Sequence, residues 1–252
     1  MTILQDQLRP LPAGYGRLPG LAAMEPAGWL VVDEAYGAQM KERARLVAER
    51  RGEVIAERPA ARAAALELLA EVLRHLEARP EWQVGAQVRC PDGREVTVDG
   101  TDPLTTLAAL VAEDFAILLE QGGVHVMEAG VICFPSRWTL AEKIGRGLSD
   151  IHAPVVEYDA ALAARVERIF TNVKVGQPMV RANALFHDDP ALFQPRAEVA
   201  EKGWAGQGAR YFRSERQGLM RLPVSGAVVF SIHTTVLPAE ALSPEQRAQV
   251  AG

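Results

Sequence analysis

The stretch ARYFRSERQGLMRLPVSGAVVFSIHTTVLP, residues 209–238, decides the fold class. It holds two β-prone runs, joined by a short turn from Pro223 to Gly226. Pro and Gly punctuate the chain at turns, and runs rich in Val, Ile, Thr, Phe and Tyr favour strands. The run PMVRANALFH, residues 178–187, reads as a third strand just upstream. Strands that follow one another closely pair antiparallel, whereas a parallel sheet needs a crossover between successive strands. The expected class is α+β, an antiparallel sheet with flanking helices and a helical N-terminal third.

Read at period two, one face of the first run carries Arg213, Glu215, Gln217, Leu219 and Arg221. The other carries Phe212, Ser214, Arg216, Gly218, Met220 and Leu222. The polar set fits two readings: a solvated face with weak ion pairs, or an anion clamp in which guanidinium forks hold carboxylates and Glu215 orients an arginine. Periodicity alone leaves both open.

Upstream, residues 1–36 are rich in Gly and Pro and aperiodic, which predicts an extended arm over the body or a partly mobile one. Residues 38–50 read as a charged surface helix. Residues 58–79 read as an amphipathic one whose stripe is Leu66, Leu69, Val72, Leu73 and Leu76. Asp92-Gly93 marks the turn of a small ribbon within residues 83–99. TDPLTTLAALVAEDFAILLEQGG, residues 101–123, predicts one helix with Pro103 in its first turn, Gly122-Gly123 as its stop and Glu113-Asp114 at its middle. VHVMEAGVICFP, residues 124–135, predicts a hairpin turning at Glu128-Ala129-Gly130. Asp159 caps a helix over 159–172, and Ser243, Pro244 and Gln246 form a capping-box pattern before the C-terminus.

The 252 residues carry a net charge of −5, and 48% are hydrophobic. There is no basic footprint for nucleic acid, no apolar run long enough to span a membrane and no signal-peptide pattern. A single cytoplasmic domain over residues 1–252 is the expectation. The two cysteines, Cys90 and Cys133, cannot make a disulfide framework or a four-thiolate site. Cys133 sits in an apolar run, as an inert buried thiol does. Phosphate-binding, dinucleotide, nucleophile-elbow and H-E-x-x-H signatures are absent.

Five histidines remain: His75, His125, His152, His187 and His233. His75 falls on the charged side of its helix, and His125 and His233 on polar faces of half-buried strands. His152 lies in GLSDIHAPVVEY, residues 147–158, where Pro154 biases Ala153 toward extended backbone. A turn residue with a satisfied ring and a ligand to a bound group are both open there.

Several stretches occur together in one order: VAEDFAILL, VICFPSRWTLAEKIGRGLSDIHAPV, VRANALF and RYFRSERQGLMRLPVSGAVVFSIHT. The order resembles the heme-dependent oxidative N-demethylase family, over roughly residues 25–240. The F-P-S-x-W, K-x-G, I-H-x-P-V and R-x-E-R-Q runs are its most specific parts. The resemblance implies a PAS-like fold holding heme b (iron), and a monooxygenase that strips a methyl group from a small amine with dioxygen and releases formaldehyde. Electrons would come from a separate flavin and iron–sulfur reductase. His152 is then the candidate axial ligand, as neutral imidazole is a common choice for heme iron. Lys143, Arg213, Arg216 and Arg221 are candidates to meet the heme propionates, with Glu215 and Trp138 beside them. Glu113 and Asp114 are candidates to orient the amine or relay a proton, or else to bond backbone groups. Where relatives tend to carry Arg-x-Asn-Trp, this chain has Arg181-Ala182-Asn183-Ala184, which reshapes a pocket wall. The competing implication is a heme-based redox or gas sensor without turnover; a third is a subunit that has lost heme.

Overall fold

The computed structural model describes residues 2–16, 19–153, 159–197 and 209–251. In chain order the elements are β1 (Ala22–Ala23), α1 (Tyr36–Val54), β2 (Ile55–Glu57), α2 (Arg62–Glu77), β3 (Gln87–Arg89), β4 (Glu95–Thr97), α3 (Pro103–Leu110), β5 (Asp114–Gln121), β6 (Val124–Val131), α4 (Leu140–Lys143), α5 (Leu148–His152), α6 (Ala160–Asn172), β7 (Met179–His187), β8 (Tyr211–Arg221), β9 (Val228–Pro238) and α7 (Pro244–Ala251). Seven strands form one sheet in the order β1-β7-β8-β9-β5-β6-β2, and every pairing in it is antiparallel. β8 and β9 pair from Tyr211↔Pro238 to Arg221↔Val228, as the two-run pattern required. The chain is α+β. The five long strands place β5 and β9, the first and last, side by side at the centre, with α4–α6 inserted between β6 and β7. The antiparallel sheet with flanking helices is the α+β arrangement expected from the sequence.

The expected helix over 101–123 is instead two elements. α3 ends at Leu110, and residues 114–121 are the central strand β5. A strand buried on both faces is a continuous apolar run, which periodicity cannot separate from a buried helix. Side-chain bonds at residue 114 fix the break. The Asp114 carboxylate accepts from the backbone N–H groups of Cys133 (2.7 Å) and Phe134 (2.8 Å) and from Arg43 Nη1 (2.6 Å). Gly122 and Gly123, at φ 61° and 84°, make the β5–β6 turn. Glu128, Ala129 and Gly130 therefore lie inside β6 and not at a hairpin tip. Glu128 is the unmatched residue of a bulge, since Ile117 faces Ala129 and Leu118 faces Met127. Gly130 is small because a Cβ there would come within 2.8 Å of Met127 Cε and 3.1 Å of the Phe115 carbonyl.

The first helix is not a surface element. Gln39, Met40, Arg43 and Leu46 of α1 are buried, and Arg43 also donates to the carbonyls of Ala108, Ala112 and Glu113. Arg50, where the predicted helix ends, leaves helical backbone at φ −136° and kinks α1. The buried stripe of α2 is Ala64, Ala65, Leu68, Leu69, Val72 and Leu76; Leu66 is 40% exposed. His75 is half-buried and not simply solvated: it meets the Trp29 ring edge-on at 5.4 Å. Residues 2–16 and 19–35 lie over the body, burying Ile3, Leu8, Met24, Trp29, Leu30 and Val31. Gln5 continues the sheet where β5 stops: its backbone N–H donates to the Val236 carbonyl (2.8 Å), and its side-chain oxygen accepts from the Val236 N–H (2.9 Å). Both predicted caps form. Asp159 accepts from Leu162 N–H, and Ser243 and Gln246 exchange side-chain to backbone bonds at 2.9 and 3.2 Å.

Candidate functional site

The β8 face bearing Arg213, Glu215, Gln217 and Arg221 looks toward the α4–α6 connection. β7 sets Leu185, Asn183 and Arg181 opposite the first three of these. Leu140, Leu148, Phe170 and Val173 of the connection pack on Ala116, Leu118, Met127, Leu219 and Val228 of the sheet. Trp138, Ile151, Met179 and Phe230 border the same cluster half-buried. Sheet and connection thus form two walls, apolar at one end and polar along β7–β8.

His152 ends α5, with its Nδ1 2.8 Å from the Leu148 carbonyl. A carbonyl only accepts, so the ring proton sits on Nδ1 and Nε2 carries the lone pair. Burial lowers the His152 pKa, and the charges of Lys143 and Arg181 lower it further, against the Leu148 bond. The imidazole is therefore neutral at neutral pH. Ala153 is helical (φ −50°, ψ −32°) and not extended; Pro154 and Val155, the rest of that motif, lie outside the described residues. Lys143 is buried and donates to the Ile151 carbonyl at 2.6 Å, which ties α4 to α5.

The polar wall is a ladder. Arg181 Nη1 donates to Gln217 Oε1 (3.1 Å), Gln217 Nε2 lies 3.4 Å from Glu215, and Arg213 Nε donates to Glu215 (3.2 Å). Arg213 is otherwise committed to the Leu192 (3.0 Å) and Phe134 (2.6 Å) carbonyls. Arg221 donates to the carbonyls of Phe170, Thr171, Val173 and Gly226, and so closes the C-terminus of α6. Arg181 differs from both. Its Nε is buried with no acceptor among the described residues, and burial lowers its pKa. In the sequence Arg181 stands in the Arg-x-Asn run and not among the candidate site cations; its signal is a cation at period two with Asn183 inside a β-prone run. His187, further along this face, has a buried Nε2 with no partner among the described residues, and burial with the Arg213 and Arg137 charges drops its pKa to about 4.

Three expected site residues sit elsewhere. Arg216 projects from the opposite face of β8, paired with Ala182 and His233. Glu113 lies at the α3–β5 junction, where its carboxylate accepts from the Val31 N–H (2.7 Å) and lies 3.4 Å from His233 Nδ1. Asp114 is filled by Arg43 and two backbone N–H groups. His125 and His233 are fully buried, not half-exposed: His125 is held by Glu167, and His233 by Asp33 and Glu113. Cys133 is buried, and burial pushes its thiol up to about 12, so it is no thiolate. Ala184 packs with Leu8, Phe212 and Leu237 and also borders a small pocket with Asn183, His187, Arg213 and Glu215.

The fold and these walls define a class: an α+β protein whose sheet faces a neutral histidine, buried cations and apolar side chains. That set suits a metal-bearing tetrapyrrole with carboxylates at its edge. A family model described as haem-dependent oxidative N-demethylase, alpha subunit-like, matches residues 20–251, and the chain belongs to that family. No helix among the described residues is long and apolar enough to cross a membrane.

Proposed function

We propose that this chain binds heme b and acts as an oxidative demethylase on a small N-methylated amine. Family membership supports the class of activity. The observation that carries the site is His152: a neutral imidazole fixed through Nδ1 to the Leu148 carbonyl, beside Lys143 and the unsatisfied Arg181. A ligating histidine whose other nitrogen donates to a carbonyl is oriented and made more basic toward the metal. When bound, the heme supplies dioxygen activation, so that a C–H bond beside the amine nitrogen is hydroxylated and the methyl leaves as formaldehyde. The chain's own residues bind and orient. His152 holds the iron, and Arg181 and Lys143 neutralise the propionate carboxylates. Leu148, Ile151, Leu219 and Phe230 keep water from the macrocycle. Arg213, Glu215 and Gln217 hold the polar wall, and Asp114 and Glu113 fix the backbone behind it. The alpha-subunit description of the family fits a chain with a partner; in this reading the electrons come from a separate reductase carrying flavin and an iron–sulfur centre.

The test is the visible spectrum of purified protein, followed by formaldehyde release from secondary and tertiary methylamines with a surrogate reductase in air. A Soret band that His152→Ala shifts or abolishes, with formaldehyde from at least one amine, is the expected result. An unchanged band in His152→Ala removes the ligand assignment. Loaded, reducible heme with no turnover and no amine-induced spectral shift moves the function to a heme sensor.

A further inference from the structure

One β8 arginine is unused by the wall just described. Arg216 emerges on the opposite face, with Nη2 3.6 Å from where a Cβ on Gly28 would stand. It is partly buried, burial lowers its pKa, and its guanidinium donates to no acceptor among the described residues. It shares a pocket with Arg9, His233, Ser214 and Thr235. Arg9 spends one nitrogen on the Val32 carbonyl at 3.1 Å and is otherwise exposed. Burial alone would neutralise His233, but its contacts with Asp33 (3.2 Å) and Glu113 (3.4 Å) lift its pKa to about 9. The cations here are Arg216, Arg9 and protonated His233; the carboxylates are Asp33 and Glu113, both drawn to the histidine. One positive charge is left over, carried by two guanidinium groups that remain partly open to solvent. The remaining wall is Leu8, Pro10, Leu11 and Pro12 of the N-terminal arm, with Ala182 of β7.

We propose that this pocket binds the carboxylate of a small organic acid, with Arg216 and Arg9 on the two oxygens and the short apolar tail against Leu8, Leu11 and Ala182. A guanidinium fork matches a carboxylate in two parallel bonds. Ser214 and Thr235 offer hydroxyls on the same side. Because Arg216 stands on the sheet and Arg9 on the arm, occupancy pins residues 8–12 to the sheet. The site lies across the sheet from His152, so its occupancy does not depend on the cofactor reading.

The experiment uses the full-length protein as purified. Sodium butyrate is titrated against sodium chloride and sodium phosphate at equal ionic strength, with thermal unfolding and calorimetric binding as readouts. Butyrate is expected to raise Tm saturably and to slow amide exchange over residues 8–12, with chloride and phosphate doing neither. Arg216→Gln and Arg9→Gln should each weaken butyrate binding by at least about tenfold, the loss of one charge-assisted pair. Arg9 is on the surface, so its variant tests the site even if Arg216→Gln fails to fold. Butyrate behaving like chloride, phosphate binding more tightly, or butyrate binding that survives both substitutions would overturn the proposal. So would loss of heme from Arg216→Gln with arm exchange unchanged by butyrate, which would return Arg216 to the cofactor.

Discussion

Asp114 is a charged residue with no freedom to do chemistry. Both its oxygens are filled, one by Arg43 Nη1 and Cys133 N–H and the other by Phe134 N–H, and its side chain is 1% exposed. A buried pair of this kind adds little over a well-packed apolar substitute, but breaking it strands a charge. Asp114→Ala leaves Arg43 inside the protein facing only carbonyls, and Cys133 and Phe134 with unmet N–H groups. The expected cost is about 3–5 kcal/mol in denaturant unfolding. Asp114→Asn, which keeps the acceptor, should cost less. If the Ala variant loses turnover but keeps wild-type stability, Asp114 meets the substrate and the structural account of it is wrong. Arg181 is the reverse case, a half-buried cation whose Nε is buried with no acceptor among the described residues. Titrating apo-protein with hemin, Arg181→Gln should weaken heme binding by about tenfold or more, while Arg137→Gln should not. Equal affinities would take Arg181 out of the cofactor site.

At the scale of elements, the strands β7, β8 and β9, the ribbon, α6 and both capped helix starts were legible because local chemistry wrote them: alternation, Gly turns and Asp or Ser caps. β5 was not legible. Its residues are apolar on both faces, and only the Asp114 bonds to Arg43, Cys133 and Phe134, all distant in sequence, tell it from a continued helix. Glu128-Ala129-Gly130 misled for a related reason: the glycine answers a close approach of Met127 and Phe115, not a turn. The site was legible in part. His152 and Lys143 came from motif order, but alternation could not say which polar face was covered, nor that Arg221 caps a helix. That cap carries its own prediction. Arg221 meets three carbonyls at the end of α6 and one in the β8–β9 turn. Arg221→Lys keeps the charge but loses the fork, and should destabilise by about 1–3 kcal/mol. Amide exchange should rise in the last turn of α6, which packs on the same cluster as Leu148. Unchanged exchange there would mean the carbonyls find water instead.

Across the whole molecule, the N-terminal arm, the sheet and the α3–β5 junction meet at one ionisable group. His233 stands on β9, Asp33 at the end of the arm and Glu113 at the junction, with Arg216 of β8 close enough to feel Glu113. Gln5 adds a bond from its side-chain amide to Asp33 (3.2 Å). Burial opposes the charged imidazole, but the two carboxylates outweigh it and raise the His233 pKa from 6.5 to about 9. A raised histidine stabilises the fold fully below its unfolded pKa, and that stabilisation drains as pH climbs through the folded one. The amount is on the order of 3 kcal/mol. His187, drawn down to about 4, has the opposite sign, as does His152: the unfolded chain takes up those protons first, so stability falls as pH drops from about 6.5 toward 4. The expected profile is a dome, with a basic limb between about pH 6.5 and 9 and an acidic limb between about 6.5 and 4. Denaturant unfolding across pH reads both. His233→Gln should flatten the basic limb and leave the acidic one, and His187→Gln should shrink the acidic limb alone. Because His233 clamps Asp33, proteolysis within residues 2–35 should quicken along the basic limb in the wild type, and already at neutral pH in His233→Gln. A basic limb that persists in His233→Gln would place the titration elsewhere and detach it from the arm.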